Sequence, residues 1–313
     1  LNGKGGLLGL SGAVGIILAV IFLLLYSFFY LRSTYGYADM LRSFGKVRAV
    51  IFGDFFLIYL VMAGAYLLNL IGRIIPVWLI FGISEKWLLL FAVSVCACGM
   101  EKGLQKRGRM AEVTGGSFLG AILLLLILCA GQGKTEYITE LFQEESFSIE
   151  TSIRSAYRYL CFFSGISLLP FVMKDVEKRG SAGKTVIGGI LTVSGIMICV
   201  LVLLPAVLGW RRVQSETWPV LSLLAGADLP GNVLARFDVL WMGFLLYGLL
   251  FTIGSVFYYG ERILTSAHIG TGKYWLPVAV YAAAIIEIDG VTVADLFEIY
   301  LAKIFVPGLF LIL

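Results

Sequence analysis

Apolar runs of membrane-crossing length recur along this chain, and the charge of the gaps between them alternates. Residues 6–31, 49–72, 83–100, 113–131, 157–173, 186–209, 237–259 and 274–287 each read as a span, and a further, truncated one begins near residue 303. A helix needs about 20 apolar residues to cross the hydrocarbon. The first gap holds Arg32, Arg42, Lys46 and Arg48 against Asp39, and the third holds Lys102, Lys106, Arg107 and Arg109. The fifth holds Lys174, Lys178, Arg179 and Lys184, and the seventh Arg262 and Lys273. The fourth is acidic (Glu136, Glu140, Glu144, Glu145, Glu150), and so is the eighth (Glu287, Asp289, Asp295, Glu298). Cytoplasmic gaps retain Lys and Arg, so the pattern orients a multi-span protein with residue 1 outside. Trp87, Trp210, Trp241, Tyr274 and Trp275 stand at span ends, as interfacial aromatics do.

A chain that is 59% hydrophobic and 14% charged, with mean hydropathy +0.94, is not a water-soluble domain. We read residues 1–313 as a single transmembrane domain of all-α class. The formal charge of +4 follows from bases flanking spans on one side, and it needs no nucleic-acid partner. The five cysteines (Cys96, Cys98, Cys129, Cys161, Cys199) lie inside apolar runs as small core residues, and the single His268 lies in a basic gap. Neither a metal, a cofactor nor a disulfide framework is indicated. Gly133-Lys134-Thr135 and Gly183-Lys184-Thr185 lack the first glycine of a phosphate-binding loop, because Leu128 and Lys178 stand there. No nucleophile elbow or carboxylate dyad appears, so the chain does not read as an enzyme.

Within the fifth run, Ser164-Gly165-Ile166-Ser167 is followed by Pro170. Gly and Pro weaken the helical ladder, and serine hydroxyls can satisfy the groups that are freed. Two readings stand: a kinked packing helix, or a discontinuous helix of the type that holds substrate in inverted-repeat transporters. In the second run Tyr59, Tyr66 and Asn69 share a helical face that could line a cavity. Asp54 lies in the inner third of that run, as an ion-coupling carboxylate or a boundary residue paired with Lys46 or Arg48. Arg236 and Asp238 open the seventh run, as a local pair or cap rather than a ligand contact. Residues 211–236 contain Asp228, Pro230 and Gly231 and read as an outer amphipathic helix and turn; Val77–Ile83 reads as a surface segment.

Three stretches resemble a known family. Met100–Val113 (MEKGLQKRGRMAEV) is similar to the cytoplasmic stretch between the fourth and fifth helices of the GerAB-type spore germination proteins. Thr217-Trp218-Pro219, followed by Arg236-Phe237-Asp238, is similar to that family's segment leading into helix eight. Phe163-Ser164-Gly165 through Pro170-Phe171 resembles its broken sixth helix. The resemblance implies the amino acid/polyamine/organocation (APC) transporter superfamily and its LeuT-like fold: two inverted five-helix repeats, with the first and sixth helices unwound around a small-molecule site. It implies a membrane subunit of a nutrient germinant receptor in the spore inner membrane. The partners would be an A-type subunit, a lipoprotein C-type subunit and a small nutrient of the amino acid class. Ser164, Gly165, Ile166 and Ser167 would hold the nutrient, facing Tyr59 and Tyr66. Many members carry Glu where Ile166 stands, which implies either altered recognition of charged ligand groups or a degenerate site. An amino-acid transporter coupled through Asp54, and a structural subunit with a dead site, are the alternatives. Matched to the family, residue 1 outside implies a chain that begins at helix two and stops within helix ten.

Overall fold

The computed structural model describes residues 10–32, 45–78, 82–100, 103–134, 136–137, 148–172, 176, 179–216, 218–225, 237–267, 270, 272, 274–288 and 291–312. It is helical almost throughout. Among the described residues, five helices contain stretches long and apolar enough to cross a membrane: Ser11–Phe28, Val47–Val77, Gly103–Ala130, Ala182–Leu208 and Trp241–Ser266. A shorter apolar helix spans Trp275–Ile285. The chain divides into two compact units that interleave in sequence. Leu1–Thr34, Val113–Ser164 and Val176–Asp238 form the first, and Tyr35–Glu112, Gly165–Asp175 and Val239–Leu313 the second.

The first unit is built on α1 (Leu10–Arg32), α5 (Ile149–Phe162) and α6 (Arg179–Leu208). Small residues four apart on α1, Ser11, Gly15 and Ala19, are buried. They form a seam against Ser152 and Ser155 of α5, which are buried too. A Cβ on Gly15 would lie 2.7 Å from the Ser155 Cβ and 2.9 Å from both the Ala156 nitrogen and the Ser152 carbonyl oxygen. Helices lacking a hydrophobic drive to associate in lipid gain van der Waals contact when small residues let their backbones approach. The Ser148 amide donates to the Ser11 hydroxyl at 3.3 Å, which fixes where α5 begins along α1. Ile16, Ala19 and Tyr159 form the centre of a cluster with Met197, Ile198 and Leu201 of α6. Two short helices, α7 (Trp210–Ser215) and α8 (Pro219–Ala225), replace the single outer amphipathic helix expected there. Glu216 joins them, accepting from Arg212 Nε at 3.2 Å and from the Ser222 hydroxyl at 3.1 Å.

The second unit centres on α2 (Lys46–Trp78), a helix of 33 residues. It runs through Pro76 to Trp78, so Val77, expected to open a surface segment, is helical, and residues 79–81 of that segment lie outside the described residues. Pro76 stands in the last turn of the helix, where its missing amide removes one ladder bond. Gly64 faces Val280 of α10 (Trp275–Ile285). The buried Asn69 amide donates to the Ala65 carbonyl at 3.0 Å and to the Ala284 carbonyl at 3.1 Å, tying α2 to the end of α10. Asn69→Leu removes both bonds and leaves the Ala284 carbonyl without this donor. A loss of about 1 kcal/mol is expected, read as a lower melting temperature in detergent with the membrane yield unchanged.

Sequence spacing misplaced several ends. The fourth span was expected from residue 113, but its helix, α4 (Gly103–Ala130), begins at Gly103, with Lys106, Arg107 and Arg109 inside it. Leu, Gln, Lys, Arg and Met are good helix formers, so the basic gap is helical too. The last span was expected near residue 303, but helix resumes at α11 (Val293–Tyr300), passes through a π turn at Leu301–Phe305 and ends as α12 (Val306–Ile312). A hairpin of β1 (Glu287–Ile288) and β2 (Val291–Thr292) precedes it, pairing Glu287 with Thr292 and Ile288 with Val291. The two remaining long helices are α3 (Glu85–Met100) and α9 (Phe237–Ser266). Asp39, Arg42, Lys102, Glu140, Glu144, Glu145, Lys174, Lys178, Thr217, Asp228, Pro230, Gly231, Arg236, His268, Lys273 and Asp289 lie outside the described residues.

Asp295 caps α11. It accepts from the Thr292 hydroxyl at 2.7 Å and from the Thr292 amide at 3.0 Å, while Arg73 donates to the same hydroxyl at 3.1 Å. The hydroxyl bond, then the amide bond, hold its carboxyl below the ordinary range. A depressed carboxylate contributes stability above its unfolded pKa and loses it as pH falls through the lower, folded value. Acidification below the ordinary carboxylate range should therefore lower the melting temperature. Asp295→Ala breaks this capping box, so it should lower the melting temperature at neutral pH and remove that part of the acid sensitivity.

Candidate functional site

The expected discontinuity is present. α5 ends at Phe162, and residues Ser164–Phe171 follow as a 3-10 helix of eight residues. Such helices seldom exceed three or four residues, and longer ones mark strain or a functional hinge. The sequence supplies the cause: Gly165 costs helical stability, and Pro170 has no amide and crowds the carbonyl four residues back. The expectation of bare backbone groups is modified, because i to i+3 pairing takes up part of the freed donors and acceptors. The Val172 amide, for example, donates to the Leu169 carbonyl at 3.0 Å.

The residues of the run divide by exposure. Ser164 and Ser167 are buried, Ile166 is half-buried and Gly165 is exposed. No atom lies within 4 Å of the place where a Gly165 Cβ would stand. Gly165 is thus an open position in the run. In the second unit its far end is anchored by Phe171, whose ring meets Phe56 of α2 edge-on at 5.1 Å.

Tyr59 lies one turn beyond Phe56 on α2. Its ring stacks on Phe305 at 3.9 Å, and Phe305 is also 5.1 Å from the Phe55 ring. Tyr66 packs beside Phe297 at 5.2 Å. The predicted tyrosine face is therefore engaged by the helix that follows the hairpin. Tyr59 is buried and Tyr66 half-buried. Phe56, Phe297 and Phe305, which make this arrangement, carried no periodic or motif signal. The π turn was equally hidden; a π turn shifts the register of the side chains after it, and here Phe305 closes the turn. Asp54 is exposed, two residues from Phe56.

Five membrane-length apolar helices among the described residues define a multi-pass helical membrane protein, in which a 3-10 run follows the shorter α5. The model of the spore germination protein family matches residues 9–288, and the chain belongs to that family. The GerAB-type resemblance is thereby borne out, and a role in germination of receptor-like or permease-like kind follows from it. The family is not an enzyme class. No curated protein and no solved structure matches the chain.

Proposed function

We propose that the protein is the membrane subunit of a nutrient germinant receptor in the spore inner membrane, with the LeuT-like repeat of the APC superfamily. The observation that carries the proposal is the eight-residue 3-10 run in a chain of the spore germination family. A small nutrient of the amino acid class sits at the open Gly165 position. Ser167 and the backbone groups of the run recognise its polar ends. Ile166 contributes an apolar wall in place of a carboxylate. Tyr66 and Tyr59 act through α2, which bears the Phe56–Phe171 contact, and so transmit changes in the run to the helix after the hairpin. A-type and C-type subunits read the resulting shift in helix packing.

Two measurements test this reading. Spores lacking the chain should lose the response to their nutrient, and complementation should restore it. Purified full-length protein should bind that nutrient at equilibrium, without ion-driven accumulation in vesicles. Accumulation that requires an ion gradient and disappears in Asp54→Asn would instead make the protein a transporter. Absence of binding alongside normal complementation would leave a structural role.

A further inference from the structure

α5 carries Glu150, Arg154 and Arg158 within 14 residues, yet it lies beside a membrane span. Its depth is fixed by α1, whose crossing stretch is Ser11–Phe28. The Ser148 amide donates to the Ser11 hydroxyl, at the start of that stretch. Ser155 packs on Gly15, and Tyr159 on Ile16 and Ala19. The two helices therefore descend together. Arg154, next to Ser155, lies abreast of the Gly15 turn. Arg158, next to Tyr159, lies abreast of the Ala19 turn, near the middle of the crossing.

The face of α5 away from this contact is polar. Ser152, Ser155 and Tyr159 are buried on the α1 side. Glu150, Arg154, Tyr157 and Cys161 follow one another at helical spacing on the other side, with Arg158 beside them. Arg154 donates to Glu150 at 2.8 Å, and the two side chains stay 66% and 81% exposed. Tyr157, Arg158 and Cys161 are half-buried. Charged side chains at this depth are too costly to face lipid, and they mark bundle interiors or water-filled cavities. α6, which also packs on α1, shows the opposite pattern: its exposed residues include Leu191, Val193 and Val202, as on a lipid-facing helix. An exposed ion pair, with a second guanidinium one turn deeper, is the surface of a helix that borders water.

We propose that this face of α5 lines a water-filled cleft that admits small anions such as carboxylates, with Arg158 receiving the anionic group near mid-membrane. A guanidinium presents a planar fork matched to a carboxylate, and a cleft with low-dielectric walls concentrates the attraction. Both bases stand on α5 ahead of the 3-10 run, so an anion that descends the cleft is led toward the break. Where that anion is the nutrient, the step rests on the receptor reading above; the cleft and its charge preference do not.

The Cys161 thiol, at the deep end of the face, reports on the cleft. Full chains that keep only Cys161, or only Cys199, are placed in nanodiscs and treated with a sulfonate-bearing or a trimethylammonium-bearing methanethiosulfonate. Neither reagent enters lipid, and labelling is followed by mass. Cys161 should react, faster with the sulfonate, whereas Cys199, exposed on the apolar α6, should stay unlabelled. Arg158→Gln should lower the sulfonate-to-ammonium rate ratio about tenfold, the low end of electrostatic focusing in a cleft. Glu150→Gln should raise that ratio; it changes an exposed side chain and serves if Arg158→Gln fails to fold. An inert Cys161, or a Cys199 labelled as fast, overturns the proposal. So does a ratio that favours the cation, or one that neither substitution moves. The expected labelling in a protein that binds no nutrient would refute the receptor reading and uphold the cleft.

Discussion

Gly15→Leu is expected to abolish the packing of α1 on α5 and to leave little folded protein after extraction from the membrane. The space for a side chain at this position is taken by backbone as well as by a side chain: the Ala156 nitrogen and the Ser152 carbonyl oxygen would each be 2.9 Å from the new Cβ. Side chains can rotate away from an intruder, but helix backbone moves only as a body. The two helices must therefore separate, and the Ser148–Ser11 bond and the Ile16, Ala19 and Tyr159 contacts go with that separation. Overpacking of this kind costs about 3 kcal/mol or more when the neighbours cannot yield. Gly15→Ala should show a smaller loss of the same sign. Ser155→Gly should rescue Gly15→Ala only in part, because it removes the 2.7 Å side-chain clash and leaves the backbone ones. Gly116→Leu is the control, since nothing lies within 4 Å of its Cβ position and the residue is exposed on α4. Thermal melts in detergent check the series. A Gly15→Leu protein that melts with wild type would refute the seam.

That seam was hidden in the sequence for a physical reason. Hydropathy reports transfer into lipid, and Ser11, Gly15 and Ala19 score as unremarkable members of an apolar run. Their partners lie about 137 positions away, from Ser148 onward, and spacing within one helix says nothing about which other helix it meets. The break at Ser164–Pro170 was legible because its cause is local: Gly and Pro act on their own backbone. The start of α4 was missed because apolarity marks the lipid-embedded part of a helix, whereas the first turns of α4 are helical without being apolar. The same holds for α11, where the Thr292–Asp295 cap could be read only once the preceding hairpin was placed. The tyrosine face was legible as a face. Its occupant, Phe297 and Phe305 on a helix more than 230 residues further on, was not.

Gly165→Trp is expected to abolish the nutrient response while leaving the protein folded. The separation of the two effects follows from the geometry of the run. Gly165 is exposed, its Cβ position is open to 4 Å, and its backbone is not in the left-handed region, so a side chain can start there without a clash at Cβ or backbone strain. Surface substitutions of that kind shift stability by about 0.5 kcal/mol, and the melting temperature should barely move. In the proposed site, however, the indole occupies the volume of the nutrient. Displacing a bound small molecule removes its whole binding free energy, so the nutrient concentration that triggers germination should rise at least about tenfold, equivalent to ~1.4 kcal/mol. Gly165→Ala should fall between Trp and wild type, since one methyl group fills little of the space. Dose–response curves of complemented spores, read beside a receptor-independent trigger, distinguish a blocked site from a damaged spore. If Gly165→Trp spores answer the nutrient at wild-type concentrations, the nutrient does not sit at the 3-10 run. The open position is then lipid-facing, and the run serves only as a bend in the helix.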